Sequence, residues 1–140
     1  MTASRARKIF INLPVSDLSR SIAFFTKLGF SFDARFTGEN AACMIVSEEA
    51  YVMLCVEKRF KDFTKKQICD TKTSTEALFT LACESRAEVD ELVKTAVAAG
   101  GSHTGDEPQD HGFMYDWSFY DPDGHGWGVF HMAPSAIPQK

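Results

Sequence analysis

The chain has 140 residues, of which 44% are hydrophobic and 24% charged, so it can form one compact domain with a core and is not expected to be disordered. The net charge of −4, with no basic cluster beyond Arg5, Arg7 and Lys8, disfavours nucleic-acid binding. No apolar run approaches the roughly 20 residues of a membrane span, and no signal peptide is recognisable. We therefore expect a cytoplasmic protein that binds neither nucleic acid nor membranes.

The first half of the chain predicts the order β-α-β-β-β. The segment KIFINLPV alternates apolar and mixed positions, as a strand does. Ser16 or Asp17 then caps a helix in the segment SDLSRSIAFFTKLGF. The apolar stripe of this helix contains Leu18, Ile22, Phe25 and Leu28. Three strand-like runs follow, SFDARFTG, AACMIVSEE and YVMLCVEK.

The second half repeats this order. ALFTLACES alternates again, and SRAEVDELVKTAVAAGG is an amphipathic helix whose stripe contains Val89, Leu92, Val93 and Ala96. Further strands are expected near residues 102–104, 114–120 and 126–131. We infer an internal duplication within a single domain of residues 1–140, with module one at about 8–57, a polar connection at about 58–76 and module two at about 77–132.

Two segments together resemble the vicinal oxygen chelate superfamily, which includes glyoxalase I, bleomycin and fosfomycin resistance proteins and extradiol dioxygenases. They are NLPVSDLSRSIAFFTKLGF near the start of the chain and DPDGHGWGVF near its end. The resemblance implies an α+β fold in which two βαβββ modules form a curled eight-stranded cup with helices on the convex face. It also implies a ligand in the cup and a homodimer, since single-domain relatives usually pair.

Metal-dependent members of that superfamily carry His, Gln or Glu at four inward strand positions. The resemblance places these positions at Phe10, Met53, Leu78 and Gly128. None of these residues can ligate a hard or borderline divalent ion. We therefore predict no metal and no other cofactor, and an apolar floor with a gap at Gly128 in place of the metal site. A divalent metal is expected only if the protein is an enzyme of this superfamily after all.

The four histidines and four cysteines give few candidates for catalysis. His125 lies in the DPDG turn, His131 is expected to pack outside the cup, and His103 follows a glycine pair. His111 is a candidate general base that Asp110 could orient, although adjacent side chains in a strand point apart. The cysteines form no CxxC motif and indicate buried thiols in a reducing compartment. No catalytic residue is assigned.

The substrate-binding candidates share the inward strand parity, or lie on the strand that follows His111. They are Phe10, Asn12, Met53, Cys55, Leu78, Thr80, Tyr115, Trp117, Gly128 and Phe130. Apolar walls with a few placed polar groups are typical of a small-molecule site. Asn12 and Thr80 are equivalent in the two modules and could orient a ligand. Cys55 would become reactive only if a cation lowered its pKa.

Three functions are compatible with this sequence. The first is a metal-free protein that binds or sequesters an unidentified small molecule, as bleomycin resistance proteins do. The second is a glyoxalase-like lyase or dioxygenase-type enzyme that uses a divalent metal or metal-independent chemistry. The third is an interaction module whose filled cup binds nothing. We favour the first, because all four expected ligand positions are substituted.

Overall fold

The structure, a computed structural model, describes residues 6–134. Arg5, named above among the basic residues, lies outside this range. The chain divides into two compact units between Ile68 and Cys69, inside the predicted connection of about 58–76. Each unit contains one predicted module, and the names module one and module two refer to the whole units below. Each module has a helix and a four-stranded mixed sheet, so the predicted α+β class and the repeated βαβββ order are confirmed.

Module one is built on a sheet of strand order β1-β4-β3-β2, in which β1 and β4 are parallel. Its elements are β1 (Ile9–Val15), α1 (Leu18–Lys27), β2 (Ser31–Phe32), β3 (Ala41–Ile45), β4 (Ala50–Val56) and the short helix α2 (Glu57–Phe60). β2 is shorter than the predicted run, because Asp33 accepts a hydrogen bond from the backbone N–H of Arg35 and begins a 3₁₀ turn over Ala34–Phe36.

The core of module one lies between α1 and one face of this sheet. Asp17 caps α1 by accepting a hydrogen bond from the backbone N–H of Arg20. Leu18 and Phe25 are buried as predicted, whereas Ile22 is only half-buried. The sheet contributes buried side chains that alternate along its strands, including Leu13, Val15, Ala42, Met44, Val52 and Leu54. This side is the helix face, and the other side is called the opposite face.

Module two repeats the arrangement with a sheet of order β5-β8-β7-β6, in which β5 and β8 are parallel. Its elements are β5 (Leu78–Ala82), α3 (Arg86–Ala98), β6 (Gln109–Asp110), β7 (Met114–Tyr120) and β8 (Gly126–Met132). The strand predicted near residues 102–104 is wrong. Ser102 forms only an isolated bridge to Tyr120, and the fourth strand of the sheet is β6.

The helix face of module two is identified by contacts with α3. Ser85 caps α3 by accepting a hydrogen bond from the backbone N–H of Glu88. Val93 is buried as predicted, and Leu92 is half-buried. The hydroxyl of Tyr115 on β7 donates to Asp90 of α3 at 2.6 Å, so Tyr115 lies on the helix face. Within residues 6–134, no helix is both long enough and apolar enough to span a membrane.

Candidate functional site

A row of small and hydroxyl-bearing residues crosses the opposite face of module two. Thr80 on β5 is in register with Gly128 on β8, and Gly128 is in register with Ser118 on β7. The hydroxyl groups of Ser118 and Thr104 are 2.7 Å apart, which extends the row beyond β7. β8 therefore presents no side chain at the point where its two neighbours, β5 and β7, present hydroxyl groups.

The two glycines of β8 leave space for their neighbours. A Cβ atom at Gly126 would lie 2.8 Å from Cδ2 of Leu78, too close for the present position of that side chain. A Cβ atom at Gly128 would lie 3.3 Å from Oγ1 of Thr80, a tight contact that a small rotation can relieve. Gly128 thus presents no side chain between Thr80 and Ser118, and this missing side chain is called the gap at Gly128 below. Leu78, in register with Gly126, is 71% exposed.

Strand alternation separates His111 from Asp110. Asp110 points to the helix face, where Arg86 of α3 binds its carboxylate at 2.6 and 3.0 Å. His111 belongs to the opposite face, and its Nε2 atom lies 3.1 Å from Oδ2 of Asp116. The idea that Asp110 orients His111 is therefore wrong, since the carboxylate beside the imidazole comes from β7, five residues further along.

Tyr115 and Trp117 do not share a face with the other predicted ligand-binding residues. They are in register with His131 and Val129, and Val129 is fully buried on the helix face. The hydrogen bond from Tyr115 to Asp90 raises the pKa of the phenol to about 12. The sequence left the strand parity of these two aromatic residues open, and the pairing of β7 with β8 places Asp116 and Ser118 on the opposite face instead.

The opposite face of module one is aromatic at one end. Phe10 and Tyr51 are in register on β1 and β4, and their rings stack with centroids 4.8 Å apart. Lys8 lies over the Tyr51 ring with its Nζ atom 5.6 Å from the centroid. Phe10 is 46% exposed. This end of the sheet offers a flat apolar surface.

The same face of module one carries polar and sulfur groups further along. Asn12 is in register with Met53, and the thiol of Cys55 lies 3.9 Å from Oδ1 of Asn12. Burial raises the pKa of the Cys55 thiol, and the charge of Arg59 opposes this only in part. Cys55 is therefore expected to be an unreactive thiol, because the charge of Arg59 does not lower its pKa below the ordinary value.

The DPDG turn fixes the start of β8 and thereby places its glycines. The carboxylate of Asp121 accepts hydrogen bonds from the backbone N–H groups of Asp123 and His125 and from Nε1 of Trp127. Burial raises the pKa of Asp121, although the electrostatic interaction with His125 and these hydrogen bonds oppose the shift. The buried ring of His125 has its Nδ1 atom 2.8 Å from Oε1 of Glu76. His125 thus has a structural role in the turn.

Comparison with known proteins agrees with this architecture. The family model described as the Glyoxalase/Bleomycin resistance protein/Dioxygenase superfamily matches residues 9–129. The chain belongs to this superfamily. The resemblance found in the sequence is thereby confirmed, and the superfamily is referred to below as the glyoxalase superfamily.

Solved structures resemble this chain over most or all of its length. A hypothetical protein from S. aureus is 25% identical, with a TM-score of 0.77 over 91% of this chain and 95% of that one. A glyoxalase-related enzyme from Fulvimarina pelagi is 18% identical, with a TM-score of 0.75 over 87% of this chain and 85% of that one. The fosfomycin resistance protein FosX from Listeria monocytogenes is 18% identical, with a TM-score of 0.61 over 100% and 97%. Curated proteins give no match.

The positions at which the glyoxalase superfamily resemblance places metal ligands are geometrically equivalent in the two modules. Met53 is in register with Asn12, two residues beyond Phe10, and Gly128 is in register with Thr80, two residues beyond Leu78. Phe10 and Met53 therefore lie on the opposite face of module one, and Leu78 and Gly128 lie on the opposite face of module two, as the alternation predicts. Their side chains offer no oxygen or nitrogen donor, so these residues do not fit a divalent metal.

Other acidic and thiol side chains do not provide a replacement set of ligands. In the part of the chain that the structure describes, no three His, Cys, Asp or Glu residues lie close enough together to hold a metal ion. The nearest approach on the opposite face of module two is the pair of His111 and Asp116. Two donors, one of which already hydrogen-bonds the other, are fewer than a stable zinc site requires.

Sequence reasoning overlooked Asp116, Ser118 and Thr104. The signal that identifies the first two is the pairing of β7 with β8. Once Gly128 is assigned to the opposite face, its register partner Ser118 and the residue two positions earlier must share that face. Thr104 lies in a connection without regular structure, and its contact with Ser118 could not be predicted from a periodic pattern.

Proposed function

We propose that this protein binds and sequesters a small organic molecule without using a divalent metal, and that it does so as a cytoplasmic homodimer. The observation that carries the proposal is that every expected metal-ligand position is occupied by a residue without a suitable donor. The opposite faces on which these positions lie still present apolar and hydroxyl groups that a small molecule can contact. Membership of the glyoxalase superfamily supports a small-molecule ligand but does not name it.

The surface of module two has the chemistry of a small-molecule site. The gap at Gly128 lies between the hydroxyl groups of Thr80 and Ser118, and Phe130 follows on the same side of β8. An apolar ligand group can fill the gap and displace water, while the hydroxyl groups donate to or accept from its polar atoms. In module one, Phe10 and Asn12 provide an equivalent pair of an apolar and a polar contact.

An enzyme of the glyoxalase superfamily is the second candidate. The specific observation that favours it is the pair of His111 and Asp116, because a carboxylate-bound imidazole is a common acid-base group in catalysis. Under this alternative the chemistry is metal-independent, since the donor set does not fit a divalent ion. The two candidates differ in whether the bound molecule is chemically changed.

The first test measures metal content and binding of a neutral fluorescent probe, N-phenyl-1-naphthylamine. We expect the purified protein to contain far less than one zinc, nickel, iron or manganese per chain by mass spectrometry, and chelator treatment to leave probe binding unchanged. Stoichiometric metal, together with loss of binding after chelation, would contradict the proposal.

Filling the gap at Gly128 tests whether the probe binds there. Gly128→Phe places a ring between Thr80 and Ser118, and we expect it to weaken probe binding about tenfold, equivalent to about 1.4 kcal/mol. The control is Gly38→Phe, because a Cβ atom at Gly38 meets no atom within 4 Å. Thermal unfolding of both variants establishes that they are folded. Equal probe affinity in the two variants would place the binding surface elsewhere.

A further inference from the structure

The pair of His111 and Asp116 leaves one ring nitrogen available to a ligand. Nε2 of His111 is 3.1 Å from Oδ2 of Asp116, and the two side chains are 37% and 35% exposed. A carboxylate beside Nε2 favours the tautomer that carries its proton there. The lone pair then lies on Nδ1, for which no hydrogen-bond partner is present within residues 6–134.

The charges around His111 determine which ligands can approach it. Asp116 faces it from β7, and Asp110, the preceding residue at the end of β6, is directed to the helix face and paired with Arg86 of α3. No Lys or Arg occupies a strand position on the opposite face of module two in the described residues. An anionic ligand would therefore meet the Asp116 carboxylate without a compensating cation. A neutral ligand that can give up a proton is favoured.

Apolar groups adjoin the pair. Phe130 on β8 is in register with Asp116, and the ring of Phe113 lies 6.2 Å from that of His111. Phe113 is 54% exposed, so its apolar surface is accessible beside the imidazole. Ser118 and the gap at Gly128 lie one step further along the same face. A flat apolar ring can be buried here with its polar group directed at Nδ1.

We propose that His111 accepts the proton of a neutral weak acid, an apolar ring bearing an ionisable O–H or N–H group, and that Asp116 positions the imidazole. This inference rests on the proposed small-molecule function. The O–H or N–H bond of the ligand breaks and its electron pair stays on the ligand heteroatom, while the proton forms a bond to Nδ1. The resulting imidazolium is stabilised by Asp116 and pairs with the ligand anion.

The experiment compares 4-nitrophenol with its methyl ether, 4-nitroanisole. The phenol can transfer a proton, and its anion absorbs visible light, whereas the ether cannot donate. We expect 4-nitrophenol to bind about ten- to a hundredfold more tightly than 4-nitroanisole, the range that a charge-assisted hydrogen bond supplies. We also expect the bound phenol to be ionised at a pH at which the free phenol is mainly neutral.

Three variants separate proton transfer from packing. His111→Gln should abolish both the preference for the phenol and its ionisation, and Asp116→Asn should lower the ionised fraction of bound phenol while binding persists. His103→Gln is the matched control, because this exposed histidine of module two lies against Trp117, with ring centroids 6.4 Å apart, and not against Asp116. The control should retain the preference and the ionised fraction of the normal chain.

The remaining outcomes distinguish the two proposals. Equal affinity for the phenol and the ether, or an unchanged ionised fraction in His111→Gln, would overturn the proton transfer. If N-phenyl-1-naphthylamine still binds in that case, the small-molecule function stands. A chain that binds neither nitro compound nor N-phenyl-1-naphthylamine would contradict both proposals. An equal loss of affinity for both nitro compounds in His111→Gln would show that His111 contributes only packing, and would overturn the inference.

Discussion

Alternation along β7 determines which of its side chains can meet a ligand. The strand reads MYDWSFY, and its aromatic residues attract attention as pocket walls. The pairing with β8 instead assigns Tyr115 and Trp117 to the helix face and Asp116 and Ser118 to the opposite face. The large aromatic side chains lie on the helix face here, and the smaller polar ones lie on the opposite face. A composition-based reading favours the wrong set because it weighs residue type above parity.

Gly128→Glu tests the role of the gap at the scale of one residue. The new carboxylate would lie beside the hydroxyl groups of Thr80 and Ser118, with no cation on that face of the described sheet. We expect no gain of metal binding, because one carboxylate is far short of a coordination shell. We also expect the free energy of unfolding at neutral pH to fall by about 1 kcal/mol relative to Gly128→Gln, which isolates the charge.

The pH dependence of this pair of variants has a defined sign. Partial burial is expected to raise the pKa of the new carboxyl, so that the folded state holds its proton at higher pH than the unfolded state. The deficit of Gly128→Glu against Gly128→Gln should therefore be present at neutral pH and shrink as the pH falls through that raised pKa. Urea unfolding at several pH values checks this. Stoichiometric zinc in Gly128→Glu, or a deficit that grows in acid, would contradict it.

At the scale of elements, the sequence predicted those whose periodicity is strong. β1, β4, β5, β7 and β8 alternate over five to seven residues, and α1 and α3 carry apolar stripes, so all were located. β6 has only two residues and no apolar pattern, and the chain before it contains Gly105 with a φ of +95° and Pro108. Its pairing with β7 is set by tertiary contacts, which no local pattern reveals.

The link between α3 and β6 depends on the ion pair of Arg86 and Asp110. The guanidinium of Arg86, with a further hydrogen bond from the backbone N–H of Gly112, lowers the pKa of Asp110 from 3.8 to about 2. A lowered pKa in the folded state stabilises the fold at pH values above the unfolded pKa. This contribution is lost as the pH falls from about 4 to about 2.

Asp110→Asn is therefore expected to unfold at a lower urea concentration than the normal chain at pH 7, with a difference that shrinks as the pH falls from about 4 to about 2. Urea denaturation followed by tryptophan fluorescence measures both midpoints. Asp106→Asn serves as the control, because the carboxylate of Asp106 forms no ion pair within residues 6–134. A difference between Asp110→Asn and the normal chain that stays constant across this pH range would show that the charge of Asp110 is not what stabilises the link.

At the scale of the whole molecule, two modules of the same topology have diverged in the chemistry of their opposite faces. Asn12 and Thr80 are equivalent, but their neighbours are Met53 in one module and Gly128 in the other. The repeated order was predictable because each copy keeps its periodicity. The contact of His111 with Asp116 was not, because it joins the turn after β6 to the middle of β7.

We expect two copies of the chain to associate through the edge of a sheet. Within the described residues, β1 pairs only with β4 and β5 only with β8, so each of these strands is an edge of its sheet. Ile9 on β1 is 55% exposed. An edge strand with exposed apolar side chains favours association with a second copy. We expect light scattering at micromolar concentration to give twice the 15.6 kDa mass of the chain.

A charge on this edge should weaken the dimer. Ile9→Lys puts an ammonium group where Ile9 is now exposed, and we expect it to shift the population towards monomer at the same concentration, because an edge lysine opposes strand pairing. Phe36→Lys is the matched control, since Phe36 is 54% exposed but lies in the 3₁₀ turn and not on an edge strand. A normal chain that is monomeric at micromolar concentration would refute the dimer. Equal dissociation in both variants would move the interface away from β1.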